Sequence, residues 1–171
     1  MNVATLSLFY PVILGIHNAE EYLRYNDFVR AHRGCVTARL LARPVIRNAG
    51  VLLTLAATVL CVLVWLRGSD LLIEAFVVAV FALMLNAFGH VAMTLRQRAI
   101  TPGTISAVAL VLPYSVWVIV AFRTSTGASW MSLLGTAGLG LLAIPLAVTV
   151  FLLLGYSAWL IQEPSRGEPD A

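Results

Sequence analysis

Apolar residues run in long blocks along this chain, and most of the blocks are closed by short stretches that carry arginine. The blocks show neither the alternation of a half-buried strand nor the single stripe of a soluble amphipathic helix. They are apolar all round, as helices facing lipid are. About 20 such residues at ~1.5 Å each cross a ~30 Å hydrocarbon core. Five spans are expected on this basis, over residues 3–23, 48–65, 71–95, 105–122 and 130–161. The expected fold class is all-α: a polytopic membrane protein with one five-helix bundle over residues 1–162 and a polar, disordered tail at 163–171.

Local punctuation refines the spans. The first is the least apolar and ends in His17-Asn18-Ala19-Glu20-Glu21. The fifth is too long for an untilted crossing. Gly135, Gly138, Gly140 and Pro145 would let it bend or pack closely on a neighbour, and Trp130 and Trp159 suit the two interfaces. Residues 24–47 hold six arginines with apolar residues between them, which suggests an amphipathic segment at headgroup level. Within it, Arg39, Arg43 and Arg47 share a helical face, and Pro44 permits a break before the second span. The N-terminus lacks a basic stretch and a small-residue cleavage site, so the first block reads as a retained span.

Composition agrees with the pattern. The chain is 60% hydrophobic and 11% charged, and its mean hydropathy is +0.91. A soluble domain averages about 25% charged residues and about 45–50% apolar ones. All eleven basic residues are Arg and the net charge is +3. That balance suits anionic lipid heads; no basic patch interleaved with aromatics points to nucleic acid. Cys35 and Cys61 read as free thiols without the spacing of a zinc or redox site.

The arginines also set the orientation. The 1–2 connection carries six and the 3–4 connection two, against one each in the 2–3 and 4–5 loops. By the positive-inside rule the former two face the cytoplasm of a plasma (inner) membrane, with the N-terminus outside and the C-terminus inside. Spans one and three then both descend inward. His17 stands seven residues before Arg24, and His90 six before Arg96. Two polar clusters, His17/Glu20/Glu21 and Asn86/His90, therefore fall at one depth in the inner leaflet, roughly two helical turns from the headgroups.

Charge at that depth is expensive and usually faces a cavity, a partner or an ion. His17, Glu20 and Glu21 stand at i, i+3 and i+4, and Asn86 and His90 at i and i+4, so each set shares a helix face. Facing each other, they would offer two imidazoles, two carboxylates and an amide. Zinc suits such a donor set best, with iron or manganese as alternatives, whereas magnesium and calcium prefer all-oxygen sets. Bland readings exist for each half: snorkelling of a helix end to water, and a simple interhelical hydrogen bond. Glu74 reads as interfacial, His32 as solvated or lipid-facing, and Tyr114 as packing.

The string His17-Asn18-Ala19-Glu20-Glu21 resembles the motif that gives the HXXEE family of small bacterial membrane proteins its name. The aromatic and basic stretch from Tyr22 to His32 resembles what trails that motif. Asn86-Ala87-Phe88-Gly89-His90 and Thr101-Pro102-Gly103 look like its second and third signatures, with Thr101 where a Tyr would be expected. The resemblance covers roughly residues 10–125 and implies a shared polar site, without naming a reaction.

The leading expectation is a membrane-embedded, metal-dependent enzyme, a hydrolase, acting on a lipophilic substrate from the bilayer. His17, His90 and Glu21 would bind the metal, Glu20 or Glu21 would act as general base, and Asn86 would orient a ligand or stabilise an oxyanion. The alternatives are a metal-free acid–base isomerase or cyclase of an isoprenoid-like substrate, and a non-enzymatic proton-coupled transporter or accessory subunit.

Overall fold

The computed structural model describes residues 2–31 and 43–162, with the side chains of 26–31 and 162 left aside. His32, Cys35, most of the expected headgroup segment and the tail at 163–171 lie outside the described residues. The described chain is all-helical: α1 (Val3–Ser7), α2 (Tyr10–Ala31), α3 (Arg43–Arg67), α4 (Asp70–Gln97), α5 (Thr104–Thr126) and α6 (Trp130–Gln162). Four of these, α3 to α6, are long and apolar enough to cross a membrane.

The first apolar block is broken at Leu8–Phe9. The cause is Pro11, which has no N–H to give the Ser7 carbonyl and whose ring crowds that carbonyl. In the first turn of α2 the same proline is tolerated. Across the break, Phe9 N–H donates to Leu6 O at 3.1 Å, and the Tyr114 hydroxyl donates to the same oxygen at 2.9 Å. Pro44 occupies the matching first-turn position in α3.

Pro113 is absorbed differently. Residues Ala107–Val111 of α5 form a π turn, in which Leu112 N–H donates to Ala107 O. The wider turn ends directly before the proline, which cannot donate to Ala109. Such π turns mark strain or function inside otherwise regular helices.

The core lies among α1, α2, α3, α4 and α5. Leu6, Val64, Phe76, Val77, Val80, Val111 and Val118 are fully buried there. Tyr10 sets its ring edge-on to Phe76 at 5.6 Å and donates its hydroxyl to Ala79 O at 3.0 Å, so α2 is tied to α4 above the polar cluster.

The last helix is the outermost. It packs on α3 and α4 through two glycines whose Cβ atoms would have no room. At Gly140 a Cβ would fall 2.9 Å from Phe81 Cβ, and at Gly155 2.6 Å from Val45 O. Close backbone approach through small residues is the usual glue of membrane helices. Gly135 and Gly138, expected to share this role, meet nothing within 4 Å.

Candidate metal centre

The motif helix divides its polar residues between two neighbours. Asn18 turns toward α3, where its amide donates to Gly50 O at 3.2 Å and Thr54 Oγ1 at 3.0 Å. It belongs to the packing of α2 on α3. His17, Glu20 and Glu21 turn the other way, toward α4 and the start of α5.

There the two predicted clusters meet. Glu21 Oε1 lies 2.8 Å from His90 Nε2 and 3.6 Å from His17 Nε2. The two imidazole rings stand edge-to-face with centroids 5.1 Å apart. Asn86 Nδ2 is 3.2 Å from both Nε2 atoms. One ligand atom from each of His17, Glu21 and His90 lies within 4.8 Å of the other two. Donors bonded at about 2.0–2.2 Å to a tetrahedral metal would sit roughly 3.3–3.6 Å apart, so small side-chain shifts suffice to fit one.

Burial is graded across the site. His17 is 1% exposed, His90 17% and Glu21 30%. The imidazole of α2 is the dry floor, and the Glu21 carboxylate is the side open to the surroundings.

Thr101-Pro102-Gly103 closes the cluster. Gly103 has φ +82°, a left-handed conformation that favours glycine. A Cβ there would sit 3.0 Å from Glu21 Cγ, 3.0 Å from His17 Cε1 and 3.1 Å from His90 Cε1. The backbone of this turn thus rests directly on all three candidate ligands. Three hydroxyls anchor it: Thr94, Thr101 and Thr104 lie within 3.0 Å of one another, and Thr101 also donates to His90 O at 3.3 Å.

Gly103 is also the N-cap residue of α5 and has no side chain to offer its first amides. Glu20 supplies the missing cap from α2. Its carboxylate accepts from Ile105 N–H at 3.2 Å, from Ser106 N–H at 2.7 Å and from Ser106 Oγ at 2.5 Å. A carboxylate at a helix N-terminus is favourable for the same reason as an ordinary cap. The Arg24 guanidinium reaches only to 4.0 Å from Glu20, so this ion pair is secondary to the cap.

Of the residues singled out from sequence, His17, Glu21, Asn86 and His90 meet at one point. Glu20 is adjacent but engaged with α5. Tyr114 is a packing residue bonded to Leu6 O, and Tyr156 lies against Trp159 with ring centroids 5.6 Å apart. Glu74 is exposed. Ser106 was missed as a site residue, and Gly103 was named only within the Thr101-Pro102-Gly103 signature, as part of a tight turn. A hydroxyl-rich run (Thr101, Thr104, Ser106) at the mouth of an apolar span was the available signal, because hydroxyls there need partners.

Among the described residues, then, fold and site together define an all-helical membrane protein with one His/Glu cluster, set on a buried imidazole. The chain belongs to the family described as proteins of unknown function with an HXXEE motif, whose family model matches residues 8–118. That stretch contains every residue of the cluster and of the Thr-Pro-Gly turn. No curated protein and no solved structure gives a match.

Proposed function

We propose that this protein is a membrane-embedded, metal-dependent hydrolase. The observation that carries the reading is the convergence of His17, Glu21 and His90, with one ligand atom of each within 4.8 Å of the others. Three donors of this kind leave a fourth position of a zinc ion for water or substrate. Iron or manganese would accept the same set.

The roles follow from the geometry. The metal lowers the pKa of a bound water and polarises the scissile group when it is present. His17 and His90 would hold it through Nε2 and Glu21 through Oε1. Glu21 is also the most open of the three, and its second oxygen would serve as the base that takes a proton from water. Glu20 was the other candidate for general base; its three hydrogen bonds to α5 favour a role in holding the site together. Asn86 borders the metal position, its amide nitrogen 3.2 Å from each Nε2, and its hydrogens would give way to a bound ion.

Counted with α1 and α2 as one crossing, the chain has five spans. The arginine distribution puts the N-terminus outside, the C-terminus inside and the site in the cytoplasmic leaflet of the plasma membrane. The substrate is lipophilic because the site lies among apolar helices and reaches it through the bilayer.

One observation favours a second reading. The 2.8 Å contact between His90 Nε2 and Glu21 Oε1 is also the length of a good hydrogen bond, as a metal-free acid–base pair would make. Metal analysis of the purified protein beside His17→Ala and His90→Ala separates the two. Near-stoichiometric metal in the parent chain, lost in both variants, supports the metalloenzyme. Equal and negligible metal in all three removes it.

A further inference from the structure

The two glutamates of the motif stand next to each other yet make different contacts, and one serine explains why. Ser106 Oγ lies 2.5 Å from Glu20 Oε2 and 3.0 Å from His17 Nδ1. It is also 3.2 Å from Gly103 O. A serine has one proton to donate. Two oxygens 2.5 Å apart need a proton between them. The Glu20 carboxylate already accepts two backbone N–H groups, the environment of an ionised acceptor. The serine proton therefore points at Glu20.

The consequence passes to the histidine. With its proton committed, Ser106 Oγ meets His17 Nδ1 as an acceptor, so Nδ1 carries the hydrogen. A neutral imidazole protonated at Nδ1 presents a bare lone pair at Nε2. That nitrogen is the one facing Glu21, His90 and Asn86. Asn86 Nδ2 stands 3.2 Å from that nitrogen and can give it a hydrogen.

We propose that Glu20 and Ser106 form a positioning relay that fixes His17 in its Nδ1–H form and so keeps Nε2 ready to bind a cation. Neither residue touches the cation or the reacting atoms. The first glutamate of the motif orients, and the second ligates. The relay also couples the site to the fold, because the carboxylate that sets the tautomer is the one that caps α5. The inference rests on the metal-site reading for its purpose, but the tautomer itself is measurable without metal.

The experiment uses the full chain in detergent or nanodiscs, with 15N-labelled histidine, metal-free and above about pH 8, where a free imidazole is neutral. Imidazole 15N shifts report which nitrogen of His17 carries the hydrogen. Zinc affinity is measured in parallel by competition with a chelating dye. The parent chain should show Nδ1–H. Ser106→Ala should show Nε2–H or a mixture and bind zinc about 10–100-fold more weakly, the usual effect of losing an outer-shell partner. Glu20→Gln, which keeps the size of the side chain, should shift both readouts in the same direction and less far. Circular dichroism confirms that each variant is folded.

Nε2–H in the parent chain, or an unchanged His17 signal in Ser106→Ala, overturns the relay. Zinc binding unaltered in both variants overturns it as well, while leaving the metal site standing. An Nδ1–H parent that shifts in Ser106→Ala but binds no zinc leaves the relay standing and removes the metal reading.

Discussion

Glu21 Oε1 is placed within 2.8 Å of His90 and 3.6 Å of His17, so a single carboxylate oxygen serves two imidazoles carried by different helices. Among the described residues no other three His, Cys, Asp or Glu side chains come this close. Such groups are costly at depth unless a partner or ion compensates them. The arrangement is compact because α2 and α4 deliver the side chains while the glycine turn before α5 fills the remaining space.

Replacing a ligand should abolish metal binding while leaving the helices intact. Glu21→Gln is the most informative variant, because it keeps the shape and removes the charge. Its zinc affinity should fall by more than the roughly 10–100-fold typical of outer-shell changes. Metal stoichiometry by elemental analysis and competition titration checks this. Full retention of metal in Glu21→Gln would show that the carboxylate is not a ligand.

Gly103→Ala should damage both site and stability. The left-handed backbone at φ +82° disfavours any Cβ, and the added carbon would press on Glu21, His17 and His90 at 3.0–3.1 Å. The backbone strain alone is worth about 1–3 kcal/mol. Thermal unfolding in detergent should show a lowered midpoint, and the 15N signals of His17 and His90 should both move. Gly89→Ala, where a Cβ meets nothing within 4 Å, is the control and should do neither.

How much of this was readable in advance differs by residue. The blocks that became α3 to α6 were plain, because an apolar run of that length has few other outcomes. The pairing of His17 with Glu21, and of Asn86 with His90, followed from i,i+4 spacing, and arginine counting gave the two sets a common depth. The division of labour between Glu20 and Glu21 did not follow. Adjacent helix positions differ by about 100° in direction, so they meet different neighbours, and which neighbour stands where is a tertiary fact. Ser106 was hidden because one serine at the edge of an apolar block looks like any interhelical hydroxyl. Gly103 looked like an ordinary turn residue, since its contacts with three side chains exist only once α2 and α4 meet beneath it. The break at Leu8–Phe9 was foreshadowed by Pro11, whose position near the start of the block left room to read straight through it.

Tyr114→Phe separates architecture from site. The hydroxyl joins α5 to α1 through Leu6 O, an oxygen that Phe9 N–H also serves. Its loss should cost at the low end of the roughly 0.6–1.7 kcal/mol seen for interhelical bonds in membranes. Unfolding measurements should detect that small loss, and zinc affinity should not change. A change in zinc affinity comparable to that of Ser106→Ala would mean that Tyr114 reaches the site.

Asn86→Asp tests whether the amide borders the metal position. In the parent chain Asn86 Nδ2 sits 3.2 Å from both Nε2 atoms, whose lone pairs a cation would take. An aspartate would put a negative oxygen against those lone pairs and close to Glu21. Without a cation the four groups repel one another; with one they become a fourth ligand and three existing donors. Zinc should therefore bind about tenfold more tightly or better, and the metal-free variant should be less stable than the parent. Asn86→Leu, which offers neither donor nor ligand, should bind more weakly than Asn86→Asp. Affinities for Asn86→Asp and Asn86→Leu that coincide would place the metal away from Asn86 and leave the amide as packing between α2 and α4.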